Sequence, residues 1–371
     1  MLDVKDQLET QLNARKEKNA FRVLTPPNEL ADFCSNDYLG LAQDQEILAQ
    51  MVERASTVGA TGSRLISGTS TLVEQLESEL AAFHGTAAGL IFNSGYVANL
   101  GLLSCIASRQ DTIIYDQLIH ASLRDGIRLS NARAFSFYHN DLDHLLKKLE
   151  RAKGNKYIVV ESVYSMDGDQ AMLPQIVALA QQFQAAVIVD EAHATGVLGP
   201  QGQGLVAACG LEKEVFARVH TFGKAIGSHG AIIVGDETLR HYLINFSRPF
   251  IYTTAMPDVI LQGIQLAYQK MAAGDLVAQL HQNIMLFKSS VSQTVSQRLI
   301  PSNTAIQSLV VPQNDQVKWL ACAIQRAGFD VRPILHPTVP EGQERLRICL
   351  HAFNQQEDII ALTGLLNQLI I

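Results

Sequence analysis

The sequence predicts an α/β protein with a mainly parallel, doubly wound sheet, followed by a smaller α+β unit. Two observations support this. Six short runs are apolar throughout, which suits strands covered on both faces, and most are separated by helix-length segments, the alternation typical of a parallel sheet. After Pro257 the pattern changes to long helical stretches. The apolar runs are Gly89–Phe92, Thr112–Tyr115, Tyr157–Val160, Ala186–Val189, Val215–Thr221 and Ala231–Val234.

The flanking elements follow from simpler signals. Leu8 and Leu12 lie four apart in a charged stretch and predict an amphipathic helix over 3–19. A Pro26-Pro27 break and a short strand near Phe33 come next. The sequence Thr71-Leu-Val-Glu74 has the form of a capping box, and Gly85 is placed to end the helix that it begins. The predicted C-terminal elements are helices to about 298, strands near 305–311 and 345–350, and a helix near 356–369.

Composition limits the function. The chain has 371 residues, 47% of them apolar and 18% charged, which suits two or three globular domains. Its net charge of −7 argues against a nucleic-acid or anionic-membrane partner. The five cysteines are scattered without a CxxC pair, so neither a zinc site nor a disulfide framework is indicated. The charged N-terminus is unlike a signal peptide, and we expect a cytoplasmic protein.

Ligands of such sheets bind beyond the carboxyl ends of the strands. This rule selects the segments that follow five of the predicted strands. They are 93–96, 116–120, 161–169, 190–196 and 221–227.

Asp190 and His193 follow one buried strand. A buried carboxylate at this position requires a cationic partner. A protonated pyridine nitrogen is one such partner, and its pairing with the carboxylate makes the pyridine ring an electron sink. Asp-Glu-Ala-His is also a nucleotide-hydrolase box, but that function needs a GxxxxGK[ST] loop, and the only Gly-Lys pair, Gly223-Lys224, lacks that context. A purely structural Asp/His pair is the remaining alternative.

Lys224 follows another strand, flanked by small residues and no other charge. A partly buried lysine of lowered pKa is suited to a Schiff base, whereas a solvated surface charge is the ordinary role of a lysine. Gly95 begins a helix whose free N–H groups form an anion site, or a plain turn. His120 either stacks on a flat ring or caps the next helix. Arg345 and Arg347 share one strand face, where one could bind a carboxylate; edge-strand charge is the alternative.

Taken together, these segments resemble the α-oxoamine synthase family of fold-type-I enzymes that depend on pyridoxal 5'-phosphate (PLP). The resemblance covers nearly the whole chain and rests on eight short motifs that occur in family order. The motifs are 35–41 (SNDYLGL), 62–68 (GSRLISG), 92–96 (FNSGY), 120–122 (HAS), 165–169 (SMDGD), 190–193 (DEAH), 221–224 (TFGK) and 338–347 (TVP to Arg347).

The resemblance implies a role for each matching residue. Lys224 would hold PLP as a Schiff base and move the α-proton of the substrate, while Asp190 would pair with the pyridinium and His193 with the ring hydroxyl. His120 would stack on the ring, and Arg347 would bind the amino-acid carboxylate. The other implied contacts are Gly95, Tyr96 and Thr221 with the phosphate, Thr254 with the phosphate of the other subunit, Ser165 with the cofactor, Asn36 with the substrate and Arg22 with the acyl chain.

The implied fold is a large domain over 41–270, with a seven-stranded, mainly parallel sheet between helices, preceded by an N-terminal segment over 1–40. A small α+β domain over 271–371 completes it. The implied reaction joins an amino acid to an acyl thioester of CoA or acyl carrier protein in a homodimer with the active site at the interface, without a metal. The compact chain and Arg22 favour L-alanine and a pimeloyl thioester, the step of biotin biosynthesis. Sister activities with glycine or L-serine, and a non-catalytic partner subunit, remain alternatives.

Overall fold

The computed structural model describes residues 3–17, 21–24, 26 and 29–370. Residues 18, 19 and Pro27, on which parts of the predicted first helix and the proline break fall, lie outside the described residues. The strands are β1 (Ala31–Asp32), β2 (Ala88–Phe92), β3 (Thr112–Asp116), β4 (Arg133–Phe137), β5 (Lys156–Glu161), β6 (Ala185–Asp190), β7 (Ala217–Thr221), β8 (Ala231–Gly235), β9 (Ile306–Val310), β10 (Phe329–Asp330), β11 (Arg332–Ile334) and β12 (Arg345–Cys349).

The helices surround these strands, and a single turn of 3₁₀ helix spans Leu41–Gln43. The α-helices are α1 (Val4–Glu17), α2 (Gln45–Arg54), α3 (Thr71–Phe83), α4 (Gly95–Ile106), α5 (Ala121–Leu129), α6 (Leu142–Arg151), α7 (Leu173–Phe183), α8 (Leu205–Ala208), α9 (Glu237–Phe246), α10 (Arg248–Ile251), α11 (Asp258–Ala272), α12 (Asp275–Ser290), α13 (Gln293–Ser296), α14 (Asn314–Arg326) and α15 (Gln356–Leu369). Among the described residues, no helix is both long and apolar enough to cross a bilayer.

The large sheet has seven strands in the order β2-β8-β7-β6-β5-β3-β4. Strand β8 runs antiparallel to both of its neighbours, and the other pairings are parallel. The prediction of a mainly parallel α/β sheet is therefore confirmed. All six apolar runs form strands of this sheet, because helices on both faces bury their side chains; Ile158, Val159 and Val160 of β5 are fully buried.

Strand β4 was missed among the apolar runs. It pairs only with β3, at the edge of the sheet, and four of its five residues are exposed. An exposed edge strand has no need of an apolar run, so the hydrophobic pattern carries no sign of it.

The cap of α3 was predicted one residue too late. Ser70, not Thr71, is the N-cap, and its Oγ accepts a hydrogen bond from the Val73 N–H at 3.3 Å. The predicted end at Gly85 is confirmed, since Gly85 has a φ of +66° and its N–H donates to the Ala82 carbonyl.

A smaller three-stranded antiparallel sheet, in the order β11-β12-β9, contains the late arginines. Strand β12 is its middle strand, and Arg345 and Arg347 are 4% and 9% exposed. The alternative of edge-strand charge is therefore wrong. Strand β1 pairs in parallel with β10 and joins the N-terminal segment to this unit.

The cysteines form no disulfide. Cys349 is buried, Cys322 is exposed, and the other three are half-buried.

Candidate active site

One cavity of about 430 Å³ lies at the carboxyl ends of the strands of the large sheet, and Arg347 of β12 also lines it. Ten of the twelve predicted site residues line it; Arg22 and Thr254 do not. The ten are Asn36, Gly95, Tyr96, His120, Ser165, Asp190, His193, Thr221, Lys224 and Arg347. The fold thus gathers residues from seven separate segments around one space.

The carboxylate of Asp190, the last residue of β6, is held by two donors. Its Oδ2 accepts a hydrogen bond from Asn99 Nδ2 at 2.7 Å, and its Oδ1 accepts one from the Ala192 N–H at 2.9 Å. Asn99 Nδ2 also donates to Ser122 Oγ at 3.0 Å, and that oxygen lies 2.8 Å from His120 Nδ1. Asn99 therefore links the predicted acid to the predicted stacking imidazole.

His120 has the predicted capping geometry, and its predicted stacking on a flat ring stays a prediction. Its ring lines the cavity, and its Nδ1 accepts a hydrogen bond from the Ser122 N–H at 3.2 Å, which caps α5. The His120 N–H donates to a carboxylate oxygen of Glu161, the last residue of β5. Backbone and ring are thus fixed from two sides.

His193 is bound into a second group of side chains. Its Nδ1 lies 2.8 Å from the Tyr38 hydroxyl, which also lies 3.1 Å from Asn36 Oδ1. Burial, and the charges of Lys224 and Arg347, lower the pKa of His193 well below its ordinary value. The ring is therefore neutral, with Nε2 left for a ligand.

Arg347 is held without a carboxylate partner among the described residues. Its Nε donates to the Ser165 carbonyl at 2.6 Å, and its Nη2 donates to Asn36 Oδ1 at 3.0 Å. By contrast, Arg345 forms an ion pair with Asp167. A buried guanidinium without an anion is costly, so Arg347 is the arginine of this strand that is available to a carboxylate ligand.

Lys224 lies in the tight turn after β7, and its Nζ makes neither a hydrogen bond nor an ion pair with the described residues. Burial lowers the pKa of this amine, although the charges of Asp190 and Glu161 oppose the shift. Burial also raises the pKa of Glu161 well above its ordinary value, with Asp190 adding to the shift. Asp190 and Glu161 are therefore the two acidic side chains whose charge acts on Lys224.

Gly95 and Tyr96 supply the first N–H groups of α4, which have no partner within the helix. A Cβ added at Gly95 would meet Thr221 Cγ2 at 2.4 Å, so only glycine fits. The buried Thr221 Oγ1 has no hydrogen-bond partner among the described residues. Free donors and an unpaired hydroxyl at one end of the cavity form an anion site.

The structure does not bring Arg22 or Thr254 into this cavity. Arg22 is exposed in the segment after α1. Thr254 is exposed as well, and its carbonyl accepts a hydrogen bond from Asn93 Nδ2 at 2.9 Å. The roles predicted for these two residues stay predictions.

Sequence reasoning missed Asn99, Tyr38 and Glu161 as members of the site. Signals for them existed: Asn99 is a polar residue inside the apolar helix α4, Glu161 ends a buried strand, and Tyr38 lies within the first motif. Each acts through another residue of the site, and such roles follow from contacts that a sequence does not contain.

Comparisons with known proteins identify the family of this chain. The model of the family "aminotransferase class I and II" matches residues 28–363. An 8-amino-7-oxononanoate synthase of Emericella nidulans is 40% identical, over 96% of this chain and 93% of that protein. The structure of an 8-amino-7-oxononanoate synthase from Francisella tularensis superimposes with a TM-score of 0.79 at 28% identity, covering 93% of this chain and 98% of that one.

A serine palmitoyltransferase from S. paucimobilis, solved with a bound PLP–myriocin aldimine, superimposes with a TM-score of 0.89 at 27% identity. The match covers 98% of this chain and 96% of that one. This chain therefore belongs to the aminotransferase class I and II family, with the fold-type-I architecture, and within it to the α-oxoamine synthases.

Proposed function

We propose that this chain is a PLP-dependent acyltransferase that condenses L-alanine with a pimeloyl thioester and releases carbon dioxide. The product is 8-amino-7-oxononanoate, an intermediate of biotin biosynthesis. One observation carries the proposal: Lys224, Asp190 and His120, from three different strand ends, line one cavity together with Arg347, a guanidinium without a carboxylate partner.

The residues of the cavity fit PLP. Lys224 would hold the cofactor covalently through its amine, and Asp190 would face the pyridine nitrogen. Gly95, Tyr96 and Thr221 offer the donors that a phosphate needs, and the unpaired Thr221 Oγ1 supports this orientation. When bound, the ring supplies an electron sink for a bond broken at the α-carbon of the amino acid.

The chain's own residues then determine which bond breaks. Arg347 binds the carboxylate of the amino acid, and the hydrogen bonds from Arg347 to Ser165 and Asn36 fix its direction. The amine of Lys224, once freed by the incoming substrate, takes the proton from the α-carbon. Its lowered pKa keeps more of the amine in the basic form near neutral pH.

The reaction balances as an acyl transfer followed by a decarboxylation. The α-carbon of alanine loses a proton and forms a bond with the thioester carbonyl carbon. The carbon–sulfur bond breaks, and the thiol leaves with a proton. The bond between the α-carbon and the carboxylate then breaks, carbon dioxide leaves, and the α-carbon receives a proton in its place.

The choice of substrates is supported by the names of three curated relatives, which are 8-amino-7-oxononanoate synthases at 37–40% identity. The serine palmitoyltransferase likeness supports a second candidate, condensation of L-serine with a long-chain acyl thioester. The test supplies the PLP-loaded protein with L-alanine, glycine or L-serine and with pimeloyl-, acetyl- or palmitoyl-CoA, and identifies products by mass. Preference for alanine and pimeloyl-CoA supports the first candidate. A serine or glycine product moves the function to a sister enzyme.

We also propose that the protein is a cytoplasmic homodimer in which Thr254 of one subunit contacts the phosphate of the PLP bound to the other subunit. The exposed position of Thr254, outside the cavity of its own chain, is compatible with such a contact. The proposed domains are an N-terminal segment over 1–40, a cofactor-binding domain over 41–270 and a small domain over 271–371. A sedimentation mass of one chain would contradict the dimer.

A further inference from the structure

A second polar cluster lies beside the active site and contains none of the residues assigned to it above. His139, just after β4, has both ring nitrogens directed at carboxylates. Its Nδ1 lies 3.0 Å from Asp116 Oδ2, and its Nε2 lies 2.7 Å from Asp169 Oδ2. Asp116 is fully buried at the end of β3, and His139 and Asp169 are each 20% exposed.

This geometry selects one charge state of the ring. A neutral imidazole has one N–H donor and one lone pair, so one of the two contacts would set a lone pair against a carboxylate oxygen. Only the imidazolium donates to both. Burial lowers the pKa of His139, but hydrogen bonds and charge from Asp116 and Asp169 outweigh burial and raise it to about 9.

Other groups around the ring do not change this balance. The Tyr164 ring meets His139 edge-on, with centroids 4.4 Å apart, and burial holds the pKa of its hydroxyl well above the ordinary value. Asp167 is close enough to share a cation with His139 and Asp169, but it forms an ion pair with Arg345. Asn140 Nδ2 donates to Asp169 Oδ2 at 3.1 Å.

Asp169 lies near the end of a compact turn that also contains Ser165 of the site. In this turn, residues 162–170, the Gly168 N–H donates to the Tyr164 carbonyl at 2.8 Å and the Tyr164 N–H donates to the Asp169 carbonyl at 3.0 Å. The Ser165 carbonyl is the acceptor for Arg347 Nε.

Two further backbone carbonyls of the same turn accept hydrogen bonds from the small C-terminal unit. The Met166 carbonyl accepts from Ser308 Oγ at 2.7 Å, and the Gly168 carbonyl accepts from Ser302 Oγ at 2.8 Å. The 162–170 turn therefore lies between the large sheet and β12. His139 connects the turn to the large sheet, because it bridges Asp169 of the turn and Asp116 of β3.

We propose that His139, as an imidazolium bridging Asp116 and Asp169, is a positioning residue that fixes the 162–170 turn and thereby the direction in which Arg347 meets the substrate carboxylate. The inference rests on the proposed function for the identity of that carboxylate. It makes His139 a determinant of amino-acid binding, although its ring does not line the cavity.

The test compares the PLP-loaded wild type with His139→Gln, which keeps one donor and one acceptor but carries no charge. The probe is propionate, a carboxylate without the amine that would itself titrate, measured as an inhibitor competing with L-alanine. We expect the inhibition constant of the variant to rise about tenfold at neutral pH, the factor that corresponds to ~1.4 kcal/mol, with a smaller change in kcat. His241→Gln, at an exposed position of α9, is the matched control and should behave as the wild type.

The pH profile distinguishes positioning from a passive structural role. In the wild type, binding of propionate should weaken as the pH rises through about 9, where His139 loses its second proton. The raised pKa means that the contribution is present below this pH and lost above it. His139→Gln should lack this step. An unchanged inhibition constant, or the same step in the variant, would overturn the inference.

Two further measurements keep the test decisive. If His139→Gln does not fold, Asp169→Asn removes the negative charge on one side of the bridge and should weaken propionate binding in the same direction. Nitrogen NMR of ¹⁵N-histidine-labelled protein should show an imidazolium signal for His139 at neutral pH, and Asp169→Asn should shift this signal. A neutral His139 ring would overturn the bridge. Loss of activity on addition of EDTA would also overturn it, because it would indicate a metal ion at this cluster. If the wild type binds no propionate, the proposed function is in question, while the NMR signal still tests His139.

Discussion

Replacing Asn99 with alanine should damage the site although Asn99 has no role in the family signature. Its Nδ2 donates to Asp190 Oδ2 at 2.7 Å and to Ser122 Oγ at 3.0 Å, and the side chain is 2% exposed. A hydrogen bond to a charged group contributes about 1.5–3 kcal/mol. At ~1.4 kcal/mol for each factor of ten, Asn99→Ala should lower kcat/KM about 10- to 100-fold.

The assay measures kcat/KM for L-alanine and the dissociation constant of PLP on the same protein samples. Asn245→Ala is the control, because Asn245 is exposed and its Nδ2 donates only to the carbonyl of His241 in its own helix. A thermal unfolding midpoint checks that the variant is folded, and alanine suits the interior of α4. Values within about twofold of the wild type, a change below ~0.5 kcal/mol, would refute the role given to Asn99.

Three further changes test separate parts of the account. Lys224→Ala should abolish turnover and the covalent attachment of PLP, measured by product formation and intact mass; substantial turnover would contradict the assignment. Arg347→Lys keeps the charge but loses the planar fork, so KM for L-alanine should rise about 10-fold or more with a smaller change in kcat. Glu77→Ala removes a buried carboxylate, 2% exposed, that pairs with Arg64 and Arg240. It should lower the free energy of unfolding by about 3–5 kcal/mol in a denaturant titration, whereas a loss under ~1 kcal/mol would contradict this pairing.

The large sheet could be predicted because its central strands are buried on both faces, and each such strand is a run of consecutive apolar residues. Strand β4 has no such apolar run, since four of its five residues are exposed to solvent. The reversed direction of β8 also has no local signal, because an apolar run reads the same in either direction.

The site could be predicted where a residue has its own chemistry and follows a strand. Lys224, Asp190 and His193 satisfy both conditions, and the fold sets them around one cavity. Asn99 and His139 act through contacts with residues far away in the sequence. Asn99 meets Asp190 across 91 positions, and His139 meets Asp169 across 30, and only the folded chain defines such pairs.

The proposed function depends on Lys224 as the residue that holds PLP. The most direct measurement is reduction of the PLP-loaded protein with borohydride, proteolysis, and mass spectrometry of the peptides. We expect a pyridoxyl group on the peptide that contains Lys224, and none when L-alanine in excess has displaced the lysine before reduction. A pyridoxyl group on another lysine, or on none, would contradict it.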